Sequence, residues 1–261
     1  DPSSYPFVFK NLDITFEDSS SLSYLRGKAL SFIQKNPDNL VFGELLFQCY
    51  VHQKKYRAAL RQVISLDRLK GGQGDRLMKF AHLCFDSKVF DVAADAFSRV
   101  VELGELNKNY IKAQNGLINT LYLQATSNID ADEEKINSLT VKIQQFIKQE
   151  GVGYNTAETI FRLAELNLFY LNKTSTAIEL LLKLIETPRL KSTFIAKTKL
   201  LLGDCYLMSN NIWDARLMYG QVEKQFKEEA LGQEARFKNA QLSYYVGDFE
   251  WAKSQLDILK T

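Results

Sequence analysis

The sequence predicts an all-α protein, a solenoid of stacked antiparallel helix pairs with about 13 helices. Three observations predict it. A small residue followed by an ordered set of alanines and large apolar residues recurs along nearly the whole chain. Only 4 Pro and 13 Gly interrupt 261 residues, which suits long helices with few breaks. Stretches such as Ile136, Leu139, Ile143, Phe146 and Ile147 carry apolar residues at helical spacing.

The elements follow in order. Residues 1–20 read as an extended amino-terminal segment. Residues 22–35 form a lone helix, with Leu22, Leu25, Ala29, Phe32 and Ile33 on one face, the second half of an incomplete pair. Asn36-Pro37-Asp38-Asn39 marks a boundary, because Pro pre-sets the first turn of a following helix. Six pairs then run from about 39 to 261, the whole chain reading as a single domain 1–261. The first carries Tyr50, Tyr56, Ala59, Val63 and Leu66, with bulky Phe47 where the small residue belongs. Gly71-Gly72-Gln73-Gly74 stops it and permits a turn. The second reads Ala81, Cys84, Phe90, Ala93, Phe97 and Val100. The third has Gly116, then a polar insertion through Ser127-Asn128-Ile129-Asp130, and its second helix is the stripe from Ile136 to Ile147. The fourth has Ala164, with its partner Ala177 one residue late. The fifth reads Leu202-Gly203-Asp204-Cys205-Tyr206, then Asn210, Ile212, Ala215, Tyr219 and Val222. The sixth reads Ala240, Gly247-Asp248-Phe249, Ala252, Leu256 and Leu259. The small position thus falls at 47, 81, 116, 164, 203 and 240, at intervals of 34, 35, 48, 39 and 37. Ser192 and Asp248 are expected to act as N-caps. Gly203 and Ala215 are expected to face one another across a helix crossing.

This pattern resembles the tetratricopeptide repeat, a pair of helices, A then B, in which small residues sit where the helices cross closely. The resemblance covers residues 22–261 and is closest to bacterial multi-repeat proteins in style. It implies a right-handed superhelix whose pairs cannot fold well alone and bury a continuous core by stacking. It also implies a concave wall built from A-helix positions. Carried over residue by residue, the candidate binding surface is Gln48, His52, Met78, His82, Phe161, Glu165, Asp204, Met208, Phe237, Gln241 and Tyr245. Glu44, Asp86, Phe169 and Lys197 complete the wall. Family members that clamp a carboxyl terminus use Lys and Asn where this chain has Glu44 and Gln48, so that specificity is not implied. The aromatic pairs Phe169-Tyr170 and Tyr244-Tyr245 are expected mostly in the core, with Tyr245 as a groove alternative. Leu256 and Leu259, at an uncapped carboxyl-terminal end, are expected to pack on something further, which makes that end a place for oligomerisation.

The function this implies is a protein–protein interaction scaffold for a peptide or protein segment, with no catalysis. The alternatives are a helical-repeat RNA binder, or a non-catalytic part of a larger envelope-assembly protein. With 33 basic and 31 acidic residues, charge gives no reason to expect a polyanion partner. No cofactor is expected. Cys49, Cys84 and Cys205 are far apart and odd in number, which opposes a disulfide framework or zinc site and suits buried free thiols. His52 and His82 are the only histidines, and no cluster completes a ligand set around them. The glycines at 71–74 lack the Lys-Ser/Thr of a phosphate loop. Asp130, Asp132 and Glu134 lack the Gly and distal Glu of a calcium loop and read as helix-start acids. No apolar run reaches the ~20 residues that span a bilayer. The amino terminus shows neither a starting Met nor a signal peptide, and cytoplasmic and periplasmic placement both stay open.

Overall fold

The computed structural model describes residues 19–36, 39–127 and 132–259. Among these it contains 13 α-helices and no strand. They are α1 (Ser19–Lys35), α2 (Leu40–His52), α3 (Tyr56–Leu69), α4 (Asp75–Asp86), α5 (Phe90–Val101), α6 (Tyr110–Thr126), α7 (Glu133–Glu150), α8 (Ala157–Phe169), α9 (Thr174–Glu186), α10 (Ser192–Met208), α11 (Ile212–Gln225), α12 (Ala230–Tyr245) and α13 (Phe249–Ile258). The fold class is an all-α helical-repeat solenoid. The contacts divide the chain into two compact units, Asp1–Gln124 and Ala125–Thr261. The division falls at the end of α6, just ahead of the insertion. The segment 1–18, the residues Pro37 and Asp38, and Asn128 to Asp130 of the insertion lie outside the described residues.

The repeat register is written in the burial pattern. Ala81, Ala164, Gly203 and Ala240 are buried on first helices, and Ala59, Ala93, Ala177, Ala215 and Ala252 on second helices. Small side chains let two backbones approach, and the large residues one and two turns later fill the space around them. Phe97 and Val100 do so in α5, Leu181 and Leu184 in α9, Tyr219 and Val222 in α11. Gly116 lies so close to Phe97 that a β-carbon there would stand 2.6 Å from the ring. At Gly203 the neighbour is the Tyr219 ring, 2.4 Å from such a β-carbon. Ala215 is fully buried one turn earlier, but the group that presses on Gly203 is the aromatic ring. Phe47 replaces the small residue in α2 without a clash because it is only half-buried and meets Phe80 edge-on, centroids 5.7 Å apart.

Polar contacts repeat with the same period. In the first unit Arg57 on α3 bonds Asp91 on α5 across 34 residues, Arg76 on α4 bonds Glu44 on α2 across 32, and Asn109 bonds Asp75 across 34. In the second unit Lys238 on α12 bonds Asp204 on α10, again across 34 residues. Equivalent helices of neighbouring pairs therefore touch.

Helix starts are set locally. Asn39 accepts the amide of Val41 at 3.0 Å and caps α2. Asp132 accepts the amide of Lys135 at 3.1 Å and caps α7. Ser192 is the first residue inside α10, with Lys191 at the cap, and Asp248 stands at the cap of α13 without a side-chain bond. Ser192 is thus inside the helix it was expected to cap, while Asp248 holds the cap position by its backbone alone. At the face of α13, Leu256 stays 37% exposed where its counterparts Leu181 and Tyr219 are 0% and 1%. Those two pack against residues of the next first helix, Leu181 beside Leu202 and Tyr219 beside Leu242.

Candidate functional site

In the second unit the first helices α8, α10 and α12 stand side by side. The rings of Phe161 on α8 and Phe194 on α10 lie 5.7 Å apart. Lys238 on α12 donates to both carboxylate oxygens of Asp204 on α10 at 2.9 Å. These links make one continuous wall. At its carboxyl-terminal edge each helix ends on a large apolar residue: Phe169, Met208 and Tyr245 are the last residues of α8, α10 and α12. Their exposures are 53%, 56% and 70%. One turn back stand Glu165, Asp204 and Gln241. Arg162 holds Glu165 at 2.7 Å. Asp204 receives Lys238 and also the buried Tyr219 hydroxyl, which donates at 2.7 Å. Burial and the facing carboxylate push the Tyr219 phenol well above its ordinary range. Phe237 and Gln241 are exposed, and Phe161 is half-buried.

The first unit has a different wall. Gln48 is half-buried, and His52, His82 and Asp86 are exposed. The His82 ring meets Phe97 edge-on at 5.2 Å. Met78 is not on the surface. It is buried with Ala59, Leu60, Val63 and Phe80 in the core of this unit, because an apolar side chain beside a core is drawn out of water into it. Asp75, at the start of α4, is held below the usual carboxylate range by the hydrogen bond from Lys108.

Of the aromatic pairs, Tyr170 and Tyr244 depart from the expected core placement, while Phe169 and Tyr245 stand on the wall. Phe169, Tyr170, Tyr244 and Tyr245 are all exposed. Tyr244 leans on Phe249 with centroids 5.3 Å apart, so part of its surface is covered within the sixth pair.

One apolar surface was not foreseen. Trp213 and Leu217 are exposed on α11 and, with Gly220, line an open hollow of about 580 Å³ flanked by Arg216 and Lys224. Trp213, Leu217 and Gly220 follow i, i+4, i+7, a helical stripe that sequence periodicity could have found.

The chemistry of the rest is quiet. The three cysteines are free and buried. Burial pushes the Cys84 and Cys205 thiols up to about 12 and raises Cys49 as well, which leaves little thiolate at neutral pH. Among the described residues no group of three or more His, Cys, Asp or Glu gathers to hold a metal ion. No helix among them is long and apolar enough to cross a membrane.

Stacked antiparallel helix pairs with small residues at their crossings define the class: a helical-repeat fold. Within that class the fold is of the tetratricopeptide type, as comparison with solved structures shows. A chain of the APC/C hetero-tetramer Cut9–Hcn1 matches with a TM-score of 0.58 at 14% identity, covering 98% of this chain and 49% of that one. PilF of Pseudomonas aeruginosa matches at 0.55 and 13% identity, covering 92% of each. YrrB, a TPR protein with an unusual peptide-binding site, matches at 0.51 and 14% identity, covering 77% of this chain and 90% of that one. No family profile and no curated protein matches the sequence.

Proposed function

We propose that the chain is a protein–protein interaction scaffold that binds a peptide or protein segment on the walls formed by its first helices, without catalysing a reaction. The observation that carries this reading is the row of exposed Met208, Phe237 and Tyr245 on adjoining first helices, where large apolar side chains stand in water on a packed frame. Such residues are the usual anchors of protein interfaces. The frame keeps its shape, so binding orders the partner and little of the scaffold. The peptide-binding site described for YrrB on the same type of fold supports the reading. The buried, protonated thiols support a binding role in preference to nucleophilic chemistry. The test is a photo-crosslinker, p-benzoylphenylalanine, placed at position 208 or at position 217. Adducts formed from 208 on the wall are expected. Adducts formed only from 217, on the outer face of α11, would sink the proposal. Self-association belongs to the face of α13 around Leu256. Sedimentation velocity across a concentration range reads it, and a monomer at every concentration removes it.

A further inference from the structure

We infer that the second unit, not the first, is the recognition surface, and that it takes an extended, uncharged segment of a partner protein with apolar side chains about three residues apart. The inference rests on the scaffold reading above and gives it a site and a ligand class.

The argument begins at the edge of the wall. Phe169, Met208 and Tyr245 close three adjoining helices that run in the same direction, so they form three apolar rungs at one edge. Packed helices stand about 8–10 Å apart. An extended chain of the polyproline II type advances about 3.1 Å per residue with about three residues per turn, so every third side chain falls on one face and meets the next rung. A helical segment repeats about every 5.4 Å, so its alternate turns fall between rungs and leave their side chains without a partner.

The row behind the rungs settles the charge. Glu165 is engaged by Arg162, Asp204 by Lys238 and Tyr219, and Gln241 is neutral. A charged ligand would have to displace an existing partner, while an apolar one displaces only water. The rungs also sit at helix carboxyl ends, where the backbone dipoles leave partial negative charge. That end repels an acidic segment. The first unit offers no such edge: its equivalents are His52 and Asp86, both polar, and Leu121, which is half-buried against the core and lies inside its helix, not at the end.

The experiment uses the whole chain and a phage-displayed library of random dodecapeptides. Selected peptides are synthesised and measured by fluorescence anisotropy at low and high salt. Four proteins are compared: the unaltered chain, Phe169→Ser/Met208→Ser/Tyr245→Ser, His52→Ala/His82→Ala, and Trp213→Ser/Leu217→Ser. Each is checked for an unchanged melting curve. The expected peptides are apolar at three-residue spacing and poor in Asp and Glu. Their affinity falls at least about tenfold in the rung variant, stays within roughly twofold in the Trp213/Leu217 variant, and barely responds to salt. Acidic peptides released by salt overturn the inference, and so does an empty selection. Loss of binding in the His52/His82 variant alone also overturns it, but leaves the scaffold reading standing. Loss only in the Trp213/Leu217 variant overturns both.

Discussion

The two units share one repeat and differ in what they show to water. In the first, helix α4 turns its methionine, Met78, into the core and leaves His82 and Asp86 outside. In the second, α10 ends on an exposed methionine, Met208, between exposed Phe169 and Tyr245. Both units bury alanine or glycine at the crossings and a large residue beside them, so their frames obey one rule. The surfaces obey none in common. Packing fixes side-chain size at the crossings, while the wall positions are free to be assigned to a ligand.

The comparison can be broken most forcefully in the frame. Phe97→Ala in the first unit and Tyr219→Ala in the second each remove a fully buried ring and should cost about 3–5 kcal/mol. Hydrogen exchange should place the larger loss of protection in the helices of the altered unit. Equal loss everywhere would show that the division into units has no energetic meaning.

Overpacking comes next. Ala93→Leu and Ala215→Leu add bulk at fully buried crossings and should each cost about 1–3 kcal/mol. A melting curve unmoved by either would undo the shared register.

Charges separate the units again. Asp204→Ala strips partners from Lys238 and from the buried Tyr219 hydroxyl, an expected loss of about 1–3 kcal/mol. Asp91→Ala breaks the pair with Arg57, whose side chains are 65% and 53% exposed, and should cost less than about 1 kcal/mol. Urea denaturation of both variants checks the order, and a reversed order would mean the exposed pair does the structural work.

The smallest effect is predicted for the rungs. Phe169→Ser, Met208→Ser and Tyr245→Ser should each change stability by no more than about 0.5 kcal/mol, as thermal melts will read. A larger loss would make them structural and remove them from the binding edge.

Much of the frame was legible in the sequence, because closeness at a crossing depends on one side chain's size. Ala59, Ala81, Ala93, Ala215 and Ala240 could be read one residue at a time. The wall was legible only in part. Met78 and His82 lie one turn apart, and whether such a residue faces core or water depends on how the neighbouring helices lean on it. Tyr170 and Tyr244 were misplaced for the same reason: hydrophobicity states a preference for burial, not the presence of a cover. Asp204 was expected to be available to a ligand, yet its partner Lys238 stands one repeat away. That pairing had a signal. Arg57 with Asp91 and Asp204 with Lys238 are opposite charges one period apart, and scanning charges at the repeat length would have found both.

Buried Asp67, near the end of α3, accepts the amide of Gly74 at 2.9 Å and that of Arg76 at 3.3 Å. The amino end of α4 thus takes its cap from the helix before it, through a turn in which Gly74 holds φ 80°, a conformation that glycine adopts at little cost. A cap borrowed this way makes helix formation sequential. Until α3 has wound to its last turn, α4 has no acceptor for its first amides and a costly nucleus to form alone. Assembly here has a direction along the chain, from α3 toward α4. Replacing Asp67 with Ala should therefore slow refolding more than its effect on equilibrium stability would suggest for a residue consolidated late, giving a φ-value near 1.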